Sequence, residues 1–323
     1  MTDPLAQHTP RSLIVTYYGA YGRGAGGEPE TVPVAALIRL LGAVGVDPPS
    51  VRSAVSRLKR RGLLVAAKTA RGAAGYAPSP DAVQLLDDGD RRIYGRLGAY
   101  RLTARPTGAP DAPDTVDAAG ATAAPDASDV REAPGGAGGR GREVASAGDW
   151  LLAVFSVPEH ERNKRHLLRS RLARLGFGTA APGVWIAPAH LYEETRHTLR
   201  RLGLDGYVDL FRGAHAGFEA TADAVRRWWD LEALAARHHA FLATHEPVLR
   251  RWSRRTTVPP ADAYRDYLLA LDSWRALPYA DPGLPPALLP RDWPGERSAR
   301  VFAGLHERLR DAGAAFAREA AAG

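Results

Sequence analysis

The sequence predicts an α+β protein of several domains: an N-terminal winged helix-turn-helix, a middle ferredoxin-like domain and a C-terminal all-α domain. Three observations lead there. Residues 31–78 carry two short amphipathic helices followed by a hairpin, the strand and helix patterns over 149–211 run βαββαβ, and the apolar spacing after about residue 221 is helical. The predicted division is 1–102 for the first domain with a connecting helix, 103–148 for a linker, 149–220 for the ferredoxin-like domain and 221–323 for the helices.

The first helix is expected over Arg11 to Tyr21, with Leu13, Ile14, Tyr17 and Tyr18 inward. The run Gly22 to Gly27, GRGAGG, resembles a phosphate cradle only superficially, since no Lys-Ser or Lys-Thr follows it. Thr31 and Pro33 open a second helix with Val34, Leu37, Ile38 and Leu41 on one face, and Gly42 and Gly45 break it. Asp47 and Pro48 give an N-cap and first-turn signal for a third helix, whose stripe is Val51, Ala54, Val55 and Leu58 and whose end is marked by Gly62. Leu64 to Lys68 and Gly75 to Pro78 then pair as a hairpin around a tip holding Arg71 and Gly72.

Charge indicates the partner of this segment. The chain is nearly balanced, with 43 basic and 36 acidic residues, yet from Pro48 to Arg71 there are seven basic residues and no acidic one. A polyanion is the matching partner, and the motif points to double-stranded DNA, with the third helix in the major groove and the hairpin on phosphates. The candidate contacts are Ser50, Arg52, Ser53, Ser56, Arg57 and Arg60 on that helix and Lys68 and Arg71 on the hairpin.

Ser79-Pro80-Asp81 starts a further helix with Val83, Leu86, Ile93, Tyr94 and Leu97 inward and Arg91, Arg92 and Arg96 outward. From Thr103 to Gly148 there is no Leu, Ile, Met, Phe, Tyr or Trp. Such a stretch has no means of burying a core, so a disordered linker is expected, with the flanking domains mobile relative to one another unless a dimer contact fixes them.

Trp150 to Val157 is long enough for a buried strand, Arg162 to Leu175 has a leucine-lined helical face, and short strands follow around Phe177 and at Val184 to Ala187. His190 to Leu202 gives a second helix and Tyr207 to Phe211 a last strand, which completes the ferredoxin-like order. Helices are expected over Ala222 to Trp252, interrupted near Pro247, then over Pro260 to Leu277 and Glu296 to Ala320. The proline-rich Asp281 to Gly295 makes a rigid crossover between the last two.

Several function classes fall away. The chain has no cysteine, which removes disulfides and thiolate metal sites, and no apolar run approaches the roughly 20 residues that span a bilayer. The start, MTDPLAQHTP, lacks the charged and apolar regions of a signal peptide, so a cytoplasmic, membrane-free protein is expected. His160-Glu161 opens a metalloprotease-like pattern that fails at Lys164, and His238, His239 and His245 have no acidic or thiol partner at ligand spacing.

Taken together, RSLIVTYYGAYG with its downstream helix-turn-helix, FSVPE, RLARLGFGTAAPGVWIAP, WWDLEALAARHHAFL and the DP-LP-LLP-DWPG run resemble the PaaX family of bacterial transcriptional repressors. The resemblance covers nearly the whole chain apart from the linker, which is an insertion relative to the family pattern. It implies a winged helix, a Cas2-like middle domain, a helical C-terminal domain, dimeric repression, and release by an aryl-CoA thioester such as phenylacetyl-CoA; a two-fold dimer in turn calls for a palindromic operator. No cofactor is implied. Guanidinium forks suit the phosphates of such an effector, which makes Arg196, Arg200, Arg201 and Arg212 candidates, with Trp185 to stack on an aryl or adenine ring. Two alternatives stand beside this reading. One is a Cas2-like metal-dependent nuclease, although Ser156 or Val157 occupies the position where a metal-binding carboxylate is expected. The other is a ligand-independent DNA-binding homodimer.

Overall fold

The computed structural model describes residues 8–23, 28–103 and 149–322. The glycine run from 24 to 27 and the expected linker beyond Thr103 lie outside the described residues.

The chain starts with three helices and a hairpin. Helix α1 (Pro10–Ala20) begins at Thr9, whose side chain accepts from the Ser12 N–H at 3.1 Å. Helices α2 (Val34–Gly42) and α3 (Pro48–Arg60) pack on it, and strands β1 (Leu64–Lys68) and β2 (Ala74–Pro78) pair antiparallel with Leu64 opposite Pro78. Leu13, Ile14, Tyr17, Leu37, Leu41, Val51, Val55 and Leu58 form the buried centre. In α2 the buried stripe is Ala36, Leu37, Leu40 and Leu41, so Val34 and Ile38 are only half-buried, a shift of the helical face from the expected one. The hairpin is held to the helices by the Tyr18 hydroxyl, which donates to the Tyr76 carbonyl at 2.6 Å, and by a bridge between Val32 and Tyr76.

Helix α4 (Pro80–Thr103) leaves the hairpin and leads to the middle domain. There β3 (Asp149–Phe155), α5 (Arg162–Arg174), β4 (Gly178–Ala181), β5 (Val184–Pro188), α6 (Tyr192–Arg201) and β6 (Val208–Ala214) follow in order. The sheet order is β4-β5-β3-β6 with every pair antiparallel, which is the ferredoxin-like arrangement. Because side chains alternate across a strand, the two faces have different partners. Leu151, Ala153, Trp185 and Ala187 pack under α5 and α6 against Leu168, Leu172 and Leu199. On the opposite face Trp150 and Ile186 meet the start of the C-terminal region.

That region comprises α7 (Thr221–Trp228), α8 (Leu231–Ser253), α9 (Pro260–Trp274), α10 (Leu277–Ala280) and α11 (Gly295–Ala322). The expected interruption near Pro247 does not occur, because α8 runs through it. Proline removes the donor to the carbonyl of residue 243, but Ala243 and Pro247 are both on the exposed side of the helix, where a carbonyl without its helical partner costs little. The break comes instead at Trp229, which is extended (φ −125°) so that its indole reaches Trp150, with ring centroids 5.9 Å apart, and donates from Nε1 to the Gly176 carbonyl at 2.9 Å. Asp230 then caps α8 by accepting from the Ala233 N–H at 2.9 Å.

Two further expectations are overturned. Arg92 does not face outward but is buried: its guanidinium donates to the Arg174 carbonyl at 3.0 Å and to the Leu175 carbonyl, pairs with Glu194 at 3.5 Å, and lies over the Tyr279 ring. The first and last thirds of the chain are also not independent bodies. Tyr264 and Leu268 of α9 and Ala317 of α11 belong to the same buried cluster as the first three helices. Asp272 accepts from Ser12 Oγ at 2.5 Å and from Thr16 Oγ1 at 2.6 Å, with His8 Nδ1 at 2.7 Å. Apolar faces on α9 and α11 that sequence periodicity assigns to a separate core are shared with α1 and α2.

Candidate nucleic-acid interface

Helix α3 is amphipathic in the sense its spacing requires. Val51, Ala54, Val55 and Leu58 are buried, and Arg52, Ser53, Ser56, Arg57, Lys59 and Arg60 are exposed on the other side. Its start is fixed by Asp47, whose carboxylate accepts from the Ser50 N–H at 2.9 Å; the hydrogen bonds from Ser50 hold that carboxyl below the usual range. Its end is set by Gly62 at φ +69°, a left-handed conformation that favours glycine. Arg57 Nη2 donates to Ser53 Oγ at 2.8 Å one turn back, so the guanidinium is oriented along the exposed face.

A concavity of about 570 Å³ lies between the first turns of α1 and α3, lined by Thr9, Arg11, Pro49, Ser50, Ser53 and Arg57. Two guanidinium groups therefore converge on one surface at the positive ends of two helices, an arrangement that favours anions through charge and the helix dipoles. Arg11 was not singled out by sequence reasoning. The signal for it was only a basic residue in the first turn of α1, and what brings it to α3 is the packing of the two helices.

Lys68 ends β1, and Arg71 sits beside Gly72 (φ +80°) at the hairpin tip. Arg71 also has a protein partner: its Nη1 donates to the Ala322 carbonyl at 3.4 Å, while Arg39 Nη2 donates to Ala320 at 2.6 Å. Both arginines thus meet the negative end of α11. Lys59 approaches the Tyr76 ring at 6.0 Å and extends the basic surface from α3 towards the hairpin.

The arginines of the middle domain divide into two groups. Arg196 and Arg212 flank the Tyr192 ring, each 5.9 Å from its centroid, and Arg196 is paired with Glu193 at 2.8 Å. Arg201 lies with Arg171 and Arg174 of α5, and Arg200 is exposed at the end of α6. Trp185 is not brought to either group: it is buried beneath α5 and α6 within the domain core. At the end of β3, Ser156 donates its N–H to the Tyr207 carbonyl, while Glu159 and Glu161 pair with Arg165 at 3.0 Å and Lys164 at 2.7 Å. Among the described residues no group of three or more His, Cys, Asp or Glu is arranged to hold a metal ion. His238 and His245 are buried and face Asp281 and Ser273. No helix among the described residues is long and apolar enough to cross a membrane.

Comparison with known proteins finds three family models in chain order: PaaX-like protein over residues 9–82, the PaaX protein central Cas2-like domain over 143–225, and the PaaX-like protein C-terminal domain over 229–319. The chain belongs to the PaaX family. Transcriptional repressor PaaX of Escherichia coli (strain K12) is 22% identical over 315 residues, covering 95% of this chain and 83% of that protein. The fold is also that of the uncharacterized protein Rv0674 from Mycobacterium tuberculosis, with a TM-score of 0.51 and 19% identity over 97% of this chain and 99% of that one. The Cas2-like domain of the family is the four-stranded unit described above, and the family's C-terminal model covers α8 to α11.

Proposed function

We propose that this PaaX-family chain is a DNA-binding transcriptional repressor and not an enzyme. Its first three helices and hairpin act as a winged helix-turn-helix: α3 enters the major groove and the hairpin touches flanking phosphates. The observation that carries the reading is the convergence of Arg11, Ser53 and Arg57 on one concave surface, continuous with the basic residues of α3. The relative from Escherichia coli, a transcriptional repressor by name, supports the same reading. The DNA contacts are Ser50, Arg52, Ser53, Ser56, Arg57 and Arg60, with Lys68 and Arg71 on the wing, and Arg11 joins them. The protein works in the cytoplasm.

It acts as a homodimer on a palindromic operator, since a two-fold protein matches a two-fold site. The support is β6, an edge strand with Phe211 56% exposed beside Val154 at 37%, the kind of unpaired apolar strip that a second copy covers. An aryl-CoA thioester releases the operator, and Arg196 and Arg212 around Tyr192 are the pair suited to its phosphates. Selection of bound duplexes from a random pool tests the whole reading: one palindromic sequence should be enriched.

A further inference from the structure

Helix α5 is more basic than the packing of its domain requires. Its 13 residues include Arg162, Lys164, Arg165, Arg169, Arg171 and Arg174 and no acid. Glu161 answers Lys164 and Glu159 answers Arg165, but Arg171 and Arg174, with Arg201 of α6 beside them, have no acidic partner among the described residues. Arg174 and Arg201 are exposed and Arg171 is half-buried, and burial followed by repulsion from the other two lowers the Arg171 guanidinium. Like charges gathered without a counter-charge raise one another's energy, and a bound anion removes that cost.

The cluster adjoins the face of the first domain. Arg174 lines a groove of about 340 Å³ together with Ser12 and Thr16 of α1 and Arg275 of α9. Arg275 Nη1 donates to Thr16 Oγ1 at 2.8 Å, and the two carboxylates of the groove are already engaged, Asp272 by His8, Ser12 and Thr16 and Asp90 by Arg23 at 3.0 Å. The first turn of α1, with Arg11, borders the concavity shared with α3. Helix α1 therefore borders both, and guanidinium groups follow in steps from Arg57 and Arg11, past Arg275 and Arg174, to Arg171 and Arg201. Arg92, which holds the end of α5, stands 12 residues after Pro80, so the cluster lies about 18 Å along α4 from the hairpin. One turn of duplex is longer, at about 34 Å.

We propose that Arg171, Arg174 and Arg201 form a second phosphate-binding surface, occupied by the backbone of the duplex that flanks the half-site under α3. Planar guanidinium groups suit phosphate oxygens, and contacts of this kind position the duplex without reading its sequence. The middle domain then adds affinity and fixes the direction in which the flanking DNA leaves the wing. This inference rests on the DNA-binding reading above.

The test titrates the full chain with two duplexes, the selected sequence alone and the same sequence extended by about 15 base pairs, or one and a half turns, on each side. Each phosphate neutralised steepens the dependence of log affinity on log salt by about 0.9, so two to three contacts should make the wild-type slope about two units per chain steeper on the longer duplex. The gain from the flanks should then shrink roughly tenfold per chain between about 50 and 200 mM salt. Arg171→Gln combined with Arg174→Gln and Arg201→Gln should bind the longer duplex no more tightly than the shorter. Lys at the same three positions should keep most of the steeper slope, because counterion release needs the charge alone. Arg201→Gln by itself, on an exposed side chain, should remove about one unit of slope. Equal wild-type slopes on the two duplexes, or a steeper slope retained by the triple Gln variant, would overturn the surface. A small polyanion is the other source of the same chemistry. If inorganic tripolyphosphate raised the melting temperature of the wild type but not of the triple Gln variant, while duplex length made no difference, the DNA assignment would be overturned in favour of that ligand. A selective loss for Arg57→Ala with no effect of duplex length would sink this inference alone, whereas a wild type that bound neither duplex would sink the DNA-binding reading and this inference with it.

Discussion

Thr16 Oγ1 on α1 donates to Asp272 Oδ1 on α9 at 2.6 Å, in a site where the aspartate side chain is only 3% exposed. Ser12 and His8 converge on the same carboxylate, and Arg275 Nη1 donates to Thr16 Oγ1 at 2.8 Å. A buried carboxylate is tolerated because its oxygens are filled, and here the groups that fill them come from the other end of the chain.

Asp272→Ala should therefore destabilise the protein by about 2 to 4 kcal/mol, since it leaves Ser12, Thr16 and His8 without their acceptor. Thermal melting measures it. Burial alone raises the Asp272 carboxyl, but the hydrogen bonds from His8, Ser12 and Thr16, with Arg275 nearby, outweigh it and leave the group below 3.8. A depressed carboxylate contributes stability that is complete above its unfolded value and lost as pH falls through the lower folded value. The difference between wild type and variant should thus shrink below pH 3.8.

His245 gives acid sensitivity in a higher pH range. Burial first, then repulsion from His8, lowers its imidazole from 6.5 to about 4, against a smaller opposing effect of Asp266. The unfolded chain takes up this proton first, so stability falls as the pH drops from 6.5 to 4, by about 3 kcal/mol in total. His245→Gln keeps a group able to face Ser273, 2.8 Å away, and should flatten that part of the pH profile in denaturant titrations.

Gly75 permits the close approach of the hairpin to the segment at Val32 that precedes α2. A Cβ there would stand 2.6 Å from the Val32 carbonyl oxygen, which is backbone and has no rotamer by which to yield. Gly75→Ala should cost about 1 to 3 kcal/mol and should speed hydrogen exchange at the Tyr76 amide, which donates to the Val32 carbonyl at 2.9 Å.

Phe211→Asp places a charge on the exposed strip of β6 without touching the domain core. Light scattering should report a dimer for the wild type and a monomer for the variant at micromolar concentration, with both melting at similar temperatures. A wild-type monomer, free and on DNA, would contradict the dimer.

Much of this was legible because local signals carry it. The Asp47-Pro48 start and Gly62 end of α3 are set by capping and by a left-handed glycine, neither of which needs a partner segment. The βαββαβ order follows from the change between two-residue and helical spacing. Features set by distant packing were not legible. Arg92 reads as a surface residue until the α5 carbonyls and Glu194 are brought to it, and Pro247 reads as a break until Ala243 is found on the wet side of α8. Arg11 reaches the basic face only through the crossing of α1 over α3, and Arg174 and Arg275 come together only where α1, α5 and α9 meet.

In the proposed function the exposed face of α3 reads base sequence and does not merely hold phosphates. Arg57 is the residue that decides it, because an arginine in the major groove forks onto guanine O6 and N7. The measurement is titration of the selected duplex and a scrambled one with wild type, Arg57→Ala and Arg71→Ala at three salt concentrations. Arg57→Ala should lose about 1 to 3 kcal/mol on the selected duplex and far less on the scrambled one, whereas Arg71→Ala should weaken both alike and lower the salt slope by about one per half-site. Equal losses on the two duplexes for Arg57→Ala would rule out base reading by this residue and reduce α3 to an electrostatic anchor.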